Sequence, residues 1–242
     1  MPSKVEAAVW RGDQLGQTAE LTLSTGFAAL DAELPGHGWP CRGLTEVLIN
    51  RAALLEWRLA SAALRAVSER GRDIAVIGPP YRPHPPGLCC DGIDSNRLLW
   101  VDVEKPHERL WATEQAIKSN ACGAVLTWLP QVRAEQVRRL QVLASGCDAP
   151  VFVFRPALVA GESSAAPLRL QVRVSEDWEL CVRIFKRRGP SFDAELRLMS
   201  VPGGLMDIMT QRLRYPSRLT LRVPDVVVRT STTGFERDVV PH

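Results

Sequence analysis

Five short apolar runs, each tied to a stretch of helical periodicity, narrow the folds open to this chain more than any other feature. The runs are LTEVLI (44–49), DIAVIG (73–78), RLLWVDV (97–103), GAVLTWL (123–129) and PVFVFR (150–155). Each is nearly continuous in apolar residues rather than alternating, the pattern of a strand buried on both faces. Between them, residues 52–69 place Leu55, Leu59, Ala62, Ala63 and Val67 on one helical stripe that stops near Gly71, with Asn50 able to cap it. Pro106 suits a first helical turn, and the helix it opens carries Leu110, Trp111, Glu114 and Ile117. A third helix runs from Val132 to Ser145, with Gly146 at its stop. The proline-dense PPYRPHPPG (79–87) reads as a loop that continues neither element. Alternating strand and helix give βαβ units, so the expected class is α/β, a mostly parallel sheet flanked by helices.

After the AGESSAAP linker (160–167) the texture changes. LRLQVRVSEDWELCVRIFKRRGP (168–190) alternates as a β-hairpin does, with SEDW at the turn, and AELRLMSV (194–201) offers one further strand. The reading is a lead-in over 1–23, with a short helix around Val5–Trp10, a main domain over 24–200, and a basic tail over 201–242 that is partly disordered or ordered on a partner.

No apolar run reaches the roughly 18 residues that a membrane helix needs, and the N-terminus lacks a signal-like apolar core. The expected location is the cytoplasm. Six cysteines form no CxxC pair and no zinc-like spacing with His37, His84 or His107. Adjacent Cys89 and Cys90 read as reduced thiols in a reducing compartment. The net charge of +3 is unevenly placed: seventeen Lys and Arg face eighteen Asp and Glu up to residue 167, against thirteen and nine from residue 168. Most of the cations are arginines, which permits contact with phosphate or carboxylate.

Upstream of the first strand lies STGFAALDAELPGHGWPCRGLTEVL (24–48). With the strand–helix order and the basic exit FKRRGP (185–190), it resembles the approach to the phosphate loop in the RecA-like ATPase core. The residues that carry this are Thr25–Gly26, Leu30–Asp31, Gly36, Gly38, Pro40 and Glu46. More narrowly, STGFAALDAELPGHGWP, LLEWRL, RLLWV, LWATEQAIKSNACGAVLTWLP and FKRRGP resemble ImuA, a bacterial family associated with SOS mutagenesis. The block from Leu110 to Pro130 is the most specific of these.

The RecA-like pattern makes an ATPase reading checkable at three places. A phosphate cradle needs glycine backbone, a lysine and a hydroxyl. Laid from Pro40 and Glu46, the pattern puts Leu54, Leu55 and Glu56 there. Where a carboxylate should follow the second strand stands Gly78, and where an aspartate should end the fourth stand Thr127 and Trp128. Three independent losses lead to the expectation of a protein that is not an enzyme and uses no cofactor.

Function then falls to surfaces. Trp39, in a Gly- and Pro-rich loop, is a candidate partner anchor, whereas Trp57 and Trp111 fall on helices and read as core. Glu114 and Gln115 read as a solvated helix face or a partner contact. Lys186, Arg187 and Arg188 end an alternating strand as an exposed cationic run, a subunit interface or a DNA-phosphate contact. Arg212, Arg214, Arg218 and Arg222 mix with Leu and Val in the tail and suit folding onto a partner or DNA. The resemblance implies a non-catalytic adaptor in SOS-induced translesion DNA synthesis. It would bind an ImuB-like, Y-family-related protein, with a DnaE-type error-prone polymerase reached indirectly, RecA and DNA possible partners, and no membrane. Two alternatives are a SulA-like cell-division inhibitor that binds FtsZ, and a divergent ATPase or DNA-processing protein.

Overall fold

The computed structural model of the chain describes residues 21–52, 55–203 and 205–218. The helix expected at Val5–Trp10, together with Leu54 and Arg222, lies outside them. The described chain opens with a two-residue ribbon, β1 (Thr22–Leu23) antiparallel to β2 (Trp39–Pro40), around the short α1 (Ala28–Glu33). Residues 22 and 23, expected in the lead-in, therefore belong to the packed body.

Then follow β3 (Leu44–Ile49), α2 (Glu56–Glu69), β4 (Ile74–Ile77), α3 (Pro85–Cys90), β5 (Leu98–Val101), α4 (Pro106–Ser119), β6 (Ala124–Trp128), α5 (Ala134–Ala144) and β7 (Val151–Pro156). A wing of β8 (Leu168–Val174), β9 (Glu179–Lys186) and β10 (Glu195–Met199) comes next, and α6 (Leu205–Ile208) and α7 (Gln211–Arg214) close the described chain. One eight-stranded sheet runs β10-β9-β8-β3-β7-β6-β4-β5. It is parallel from β8 through to β5 and antiparallel across β8, β9 and β10. The protein is thus α/β with a mainly parallel central sheet flanked by helices.

Strand alternation divides the core. Val47, Ile49, Val76, Leu126, Phe152 and Phe154 face α2, packing on Leu59, Ala63, Leu64 and Val67. Ala75, Ile77, Val125, Val151 and Val153 face α4 and α5, meeting Leu110, Ile117, Val137 and Leu140. Both faces of the inner parallel strands β3, β4, β6 and β7 are covered, which is why their runs lack polar alternation, whereas the edge strand β5 leaves Leu99 exposed. The wing has cover on one face only, and it alternates accordingly: Leu170, Val172, Val182 and Ile184 are buried while Arg173, Arg183 and Arg197 are exposed.

Four expectations need correction. Pro85 and Pro86 do not break structure; they occupy the first turn of α3, where an N–H is dispensable, and the His84 Nδ1 accepts from the Gly87 N–H at 3.3 Å. Trp111 is not core: α4 turns Leu110, Thr113 and Ile117 inward, leaving Trp111 64% exposed. The helix expected from residue 52 starts only at Glu56. Part of the supposed tail is docked. The Trp178 indole N–H donates to the Leu213 carbonyl at 2.9 Å, and Ser217 donates through its N–H and hydroxyl to the Asp177 carboxylate at 2.9 and 2.6 Å.

A buried ionic cluster joins the parallel half to the wing. Glu46 on β3, 1% exposed, receives Arg155 Nη1 of β7 at 2.6 Å. Arg169 of β8 sits directly across the register from Glu46, its Nε 2.9 Å from Oε2 in an ion pair that lacks hydrogen-bond alignment. The other terminal nitrogens go to backbone: Arg155 Nη2 to the Val132 carbonyl, and Arg169 Nη1 and Nη2 to those of Val159, Ala160 and Glu162, while the Arg155 Nε has no hydrogen-bond acceptor among the described residues. Arg155 also reaches the Glu162 carboxylate at 3.2 Å. The linker at 157–166 is held by these bonds. Glu46→Gln strips the charge and leaves two buried guanidiniums short of their counter-ion, a cost of about 3 kcal/mol or more. Urea denaturation should show a correspondingly lower midpoint at unchanged slope; a midpoint equal to the parent's contradicts this role.

Candidate functional site

In an open parallel sheet a ligand crevice lies beyond the carboxyl ends of the strands. Here that edge gathers the ends of β3, β4, β6 and β7 and the first turn of α2. The main-chain donors at a helix start ordinarily invite an anion. In this chain the anion is internal. Glu56, the first residue of α2, is fully buried and folds back so that its Oε2 accepts the Leu55 N–H at 3.1 Å. Its Oε1 accepts the Trp128 indole N–H at 2.9 Å. The carboxylate thus serves the helix macrodipole and satisfies the indole in one stroke. Trp128 is in turn stacked on Phe154, their ring centroids 4.8 Å apart.

Three other positions of the pattern are likewise occupied by the protein's own packing. Leu55, where the pattern would place a lysine, is 3% exposed and packs in the α2-side core. Thr127 shares a buried 2.8 Å hydrogen bond with Thr113 of α4. Gly78, at the end of β4, has φ +58°, and a Cβ there would lie 2.7 Å from Cδ and Nε of Arg109. Arg109 lies over it, its Nε donating to the Val103 carbonyl at 2.7 Å.

The approach segment has structural work of its own. Asp31 accepts the Thr25 N–H at 2.9 Å and the Ser24 hydroxyl at 2.7 Å, closing the Ser-Thr-Gly turn. Gly26 has φ +82°, and a Cβ on it would come within 2.4 Å of Ala62 Cβ on α2, so the turn seats directly on that helix.

The candidates on the surface fare differently. Trp39 is not a partner anchor, for its side chain is fully buried, edge-on to Phe152 with centroids 5.2 Å apart. The flanking glycines and Pro40 do not leave it in an open loop, because β2 pairs with β1 and turns the indole inward. Glu114 is 8% exposed and pairs with Arg139 of α5, so it is neither a solvated face nor free for a partner; Gln115 beside it is exposed.

The cationic run is partly spoken for. Arg187 donates to the Glu33 carbonyl and lies 2.9 Å from the Glu33 carboxylate, with its guanidinium 5.4 Å from the Phe192 ring. It fastens the end of β9 to α1. Lys186 and Arg188 are exposed, and Lys186 donates to the Ser164 carbonyl at 2.8 Å. Arg212 is exposed; the Arg214 Nε donates to the Met209 carbonyl at 3.2 Å; Arg218 closes a short 3-10 turn. The structure therefore does not bring Lys186–Arg188 and Glu114–Gln115 together into one cluster, nor does it make a site around Trp39.

Two features escaped the sequence reading. Trp128 was visible as an odd end to a strand, but nothing local signalled that its indole would bond Glu56, 72 positions away. Arg109 carried no signal, since a first-turn arginine is ordinary; only the fold sets it between two cavities. Among the described residues no group of three or more His, Cys, Asp or Glu is arranged to hold a metal, and no helix is long and apolar enough to cross a membrane. No family model matches the chain, and no curated protein matches it in sequence.

Burial sorts the thiols. Cys41 is pushed up to about 11, by burial first and by the nearby Cys147 second, and burial likewise raises Cys122 and Cys147. Cys89 and Cys90 are exposed. Because alkylation consumes the thiolate, iodoacetamide at about pH 8 should label Cys89 and Cys90 well before the buried thiols, as peptide mapping would read. Early labelling of Cys41 would contradict this burial. Glu56→Ala should leave the Trp128 N–H without its acceptor and destabilise the fold by about 1–3 kcal/mol. A change in the Trp128 indole resonance on an NMR spectrum should accompany the loss; an unmoved resonance would mean that the bond is absent.

Proposed function

We propose that this chain is a non-catalytic adaptor of the RecA-like class, akin to ImuA, acting in damage-induced translesion DNA synthesis in the cytoplasm. Its partner on this reading is an ImuB-type, Y-family-related scaffold, through which a DnaE-type polymerase is reached; RecA is a second partner. One observation carries the reading: the buried Glu56 carboxylate occupies the start of α2, where a RecA-like ATPase would receive the phosphates. A catalytic relative needs open donors there, whereas this chain puts its own acid at that place, on the Leu55 N–H.

Supporting it is the sheet order, in which the strand preceding the site lies centrally between β7 and β8 and an antiparallel hairpin follows the fifth parallel strand. Further support comes from the stapling of the β9 exit to α1 through Arg187 and Glu33. A fold that retains its faces while closing its reaction centre retains the means to bind other proteins. Lys186, Arg188 and Arg212 are exposed cations suited to an acidic face or to DNA phosphates.

The test is direct association. Purified full-length protein, titrated against a purified ImuB-type protein and against RecA at micromolar concentration, should bind the first, and Lys186→Glu/Arg188→Glu should weaken capture at least several-fold while leaving the melting temperature unchanged. Absence of binding to either partner, or inhibition of FtsZ polymerisation in their place, overturns the adaptor reading.

A further inference from the structure

The geometry points to a ligand site beside the closed helix start: a cleft that takes a carboxylate attached to an apolar body, with Arg109 as its anchor. Three observations converge. The first is the state of the Arg109 guanidinium. Its Nε is committed to the Val103 carbonyl at 2.7 Å, and its stem lies against Gly78, where any side chain would collide with it. No described residue accepts from its Nη1 or Nη2, or pairs with it as a carboxylate. Other arginines held in the body are spoken for: Arg155, Arg169, Arg187, Arg58 and Arg72 each place terminal nitrogens on named acceptors. Arg109 is therefore a guanidinium held in one orientation with its fork of N–H donors open, the arrangement suited to bidentate recognition of an oxyanion.

The second observation is where that fork sits. Arg109 is the wall between two cavities that also share Pro130. One, about 180 Å³, is a slot bounded by Ile49, Ala52, Pro80, Trp128, Phe154 and Pro156. The other, about 450 Å³, has Leu110, Leu129 and Val132 in its lining, with His107 and Arg133 at hand and Glu104 as its one acid. Apolar walls with a few placed polar groups make a ligand site, and the slot accommodates a phenyl- or isobutyl-sized group.

The third is charge. Three arginines line the cleft; Arg155 is already paired with Glu46 and Glu162, whereas Arg109 and Arg133 have no carboxylate partner among the described residues and face Glu104 alone. A polyphosphate would find no suitable place in the apolar slot; a bare hydrocarbon would leave the fork unmet. A carboxylate on an apolar body satisfies both. The same chemistry occurs in a small organic acid and in an acidic residue next to an aromatic or aliphatic one in a peptide. This site stands independently of the adaptor reading, since it requires neither a scaffold protein nor RecA.

The test uses the full chain and heteronuclear NMR. 3-Phenylpropionate should shift the resonances of Gly78, Arg109 and the Trp128 indole with a dissociation constant of about 1 mM, as suits a fragment. Its uncharged amide should bind at least about tenfold more weakly, the discrimination a charged fork provides. Arg109→Gln should abolish the shifts, and Arg109→Lys should restore them only in part. Ala52→Leu, which fills the slot and leaves the fork alone, guards against a folding defect and should also abolish them. The blocked peptide acetyl-Leu-Glu-Phe-amide separates the sources: tighter binding than the acid assigns the site to a peptide, and binding of the acid alone assigns it to a small metabolite. No shift at about 10 mM, equal binding of acid and amide, undiminished binding to Ala52→Leu, or tighter binding of pyrophosphate would each overturn the proposal.

Discussion

A single buried carboxylate, Glu46, holds the two halves of the sheet in register. Among the described strands, β3 alone touches both the parallel half through β7 and the wing through β8, and Glu46 lies at its middle with a guanidinium arriving from each side. Two cations on one acid would be unbalanced; the Val132 carbonyl, backbone carbonyls of the 157–166 linker and the Glu162 carboxylate take the other terminal guanidinium nitrogens. A buried cluster of this kind depends on acceptors for its guanidinium ends, so the linker path and the sheet are determined together. The linker, polar and loop-like by composition, is thereby as fixed as the strands it joins.

A second buried carboxylate sets the character of the carboxyl edge. Glu56 gives α2 an internal anion, and Trp128 and Leu55 surround it with apolar surface. The segment from Ser24 to Asp31 has a structural part of its own: Asp31 closes the turn at Ser24–Thr25, and Gly26 lets that turn rest on Ala62. The edge holds its own acid at α2, and Arg109 lies over the end of β4.

The central strands were legible in the sequence because burial on both faces writes itself as unbroken apolar runs; LTEVLI matches β3 residue for residue. The wing was legible for the complementary reason, its alternation reporting one covered face. What failed depended on partners distant in sequence. Arg187 looked like an unneutralised cation because its acid, Glu33, is 154 residues away. Trp39 looked exposed because a two-residue ribbon leaves too short a pattern to detect. Trp111 looked buried because its helix shows a stripe at 110, 113 and 117 that passes one position beside it. At the closed edge, the identities of Leu55 and Glu56 announced that something other than a phosphate cradle stood there. That Glu56 would turn inward onto an indole is a property of the fold alone.

The central claim is that the carboxyl edge holds its own anion where a RecA-like ATPase would hold nucleotide. Titrating MgATP into the full-length protein in a calorimeter tests it most directly. The account predicts no binding heat at millimolar nucleotide and no phosphate release. Micromolar binding accompanied by hydrolysis would contradict it and return the chain to the ATPases.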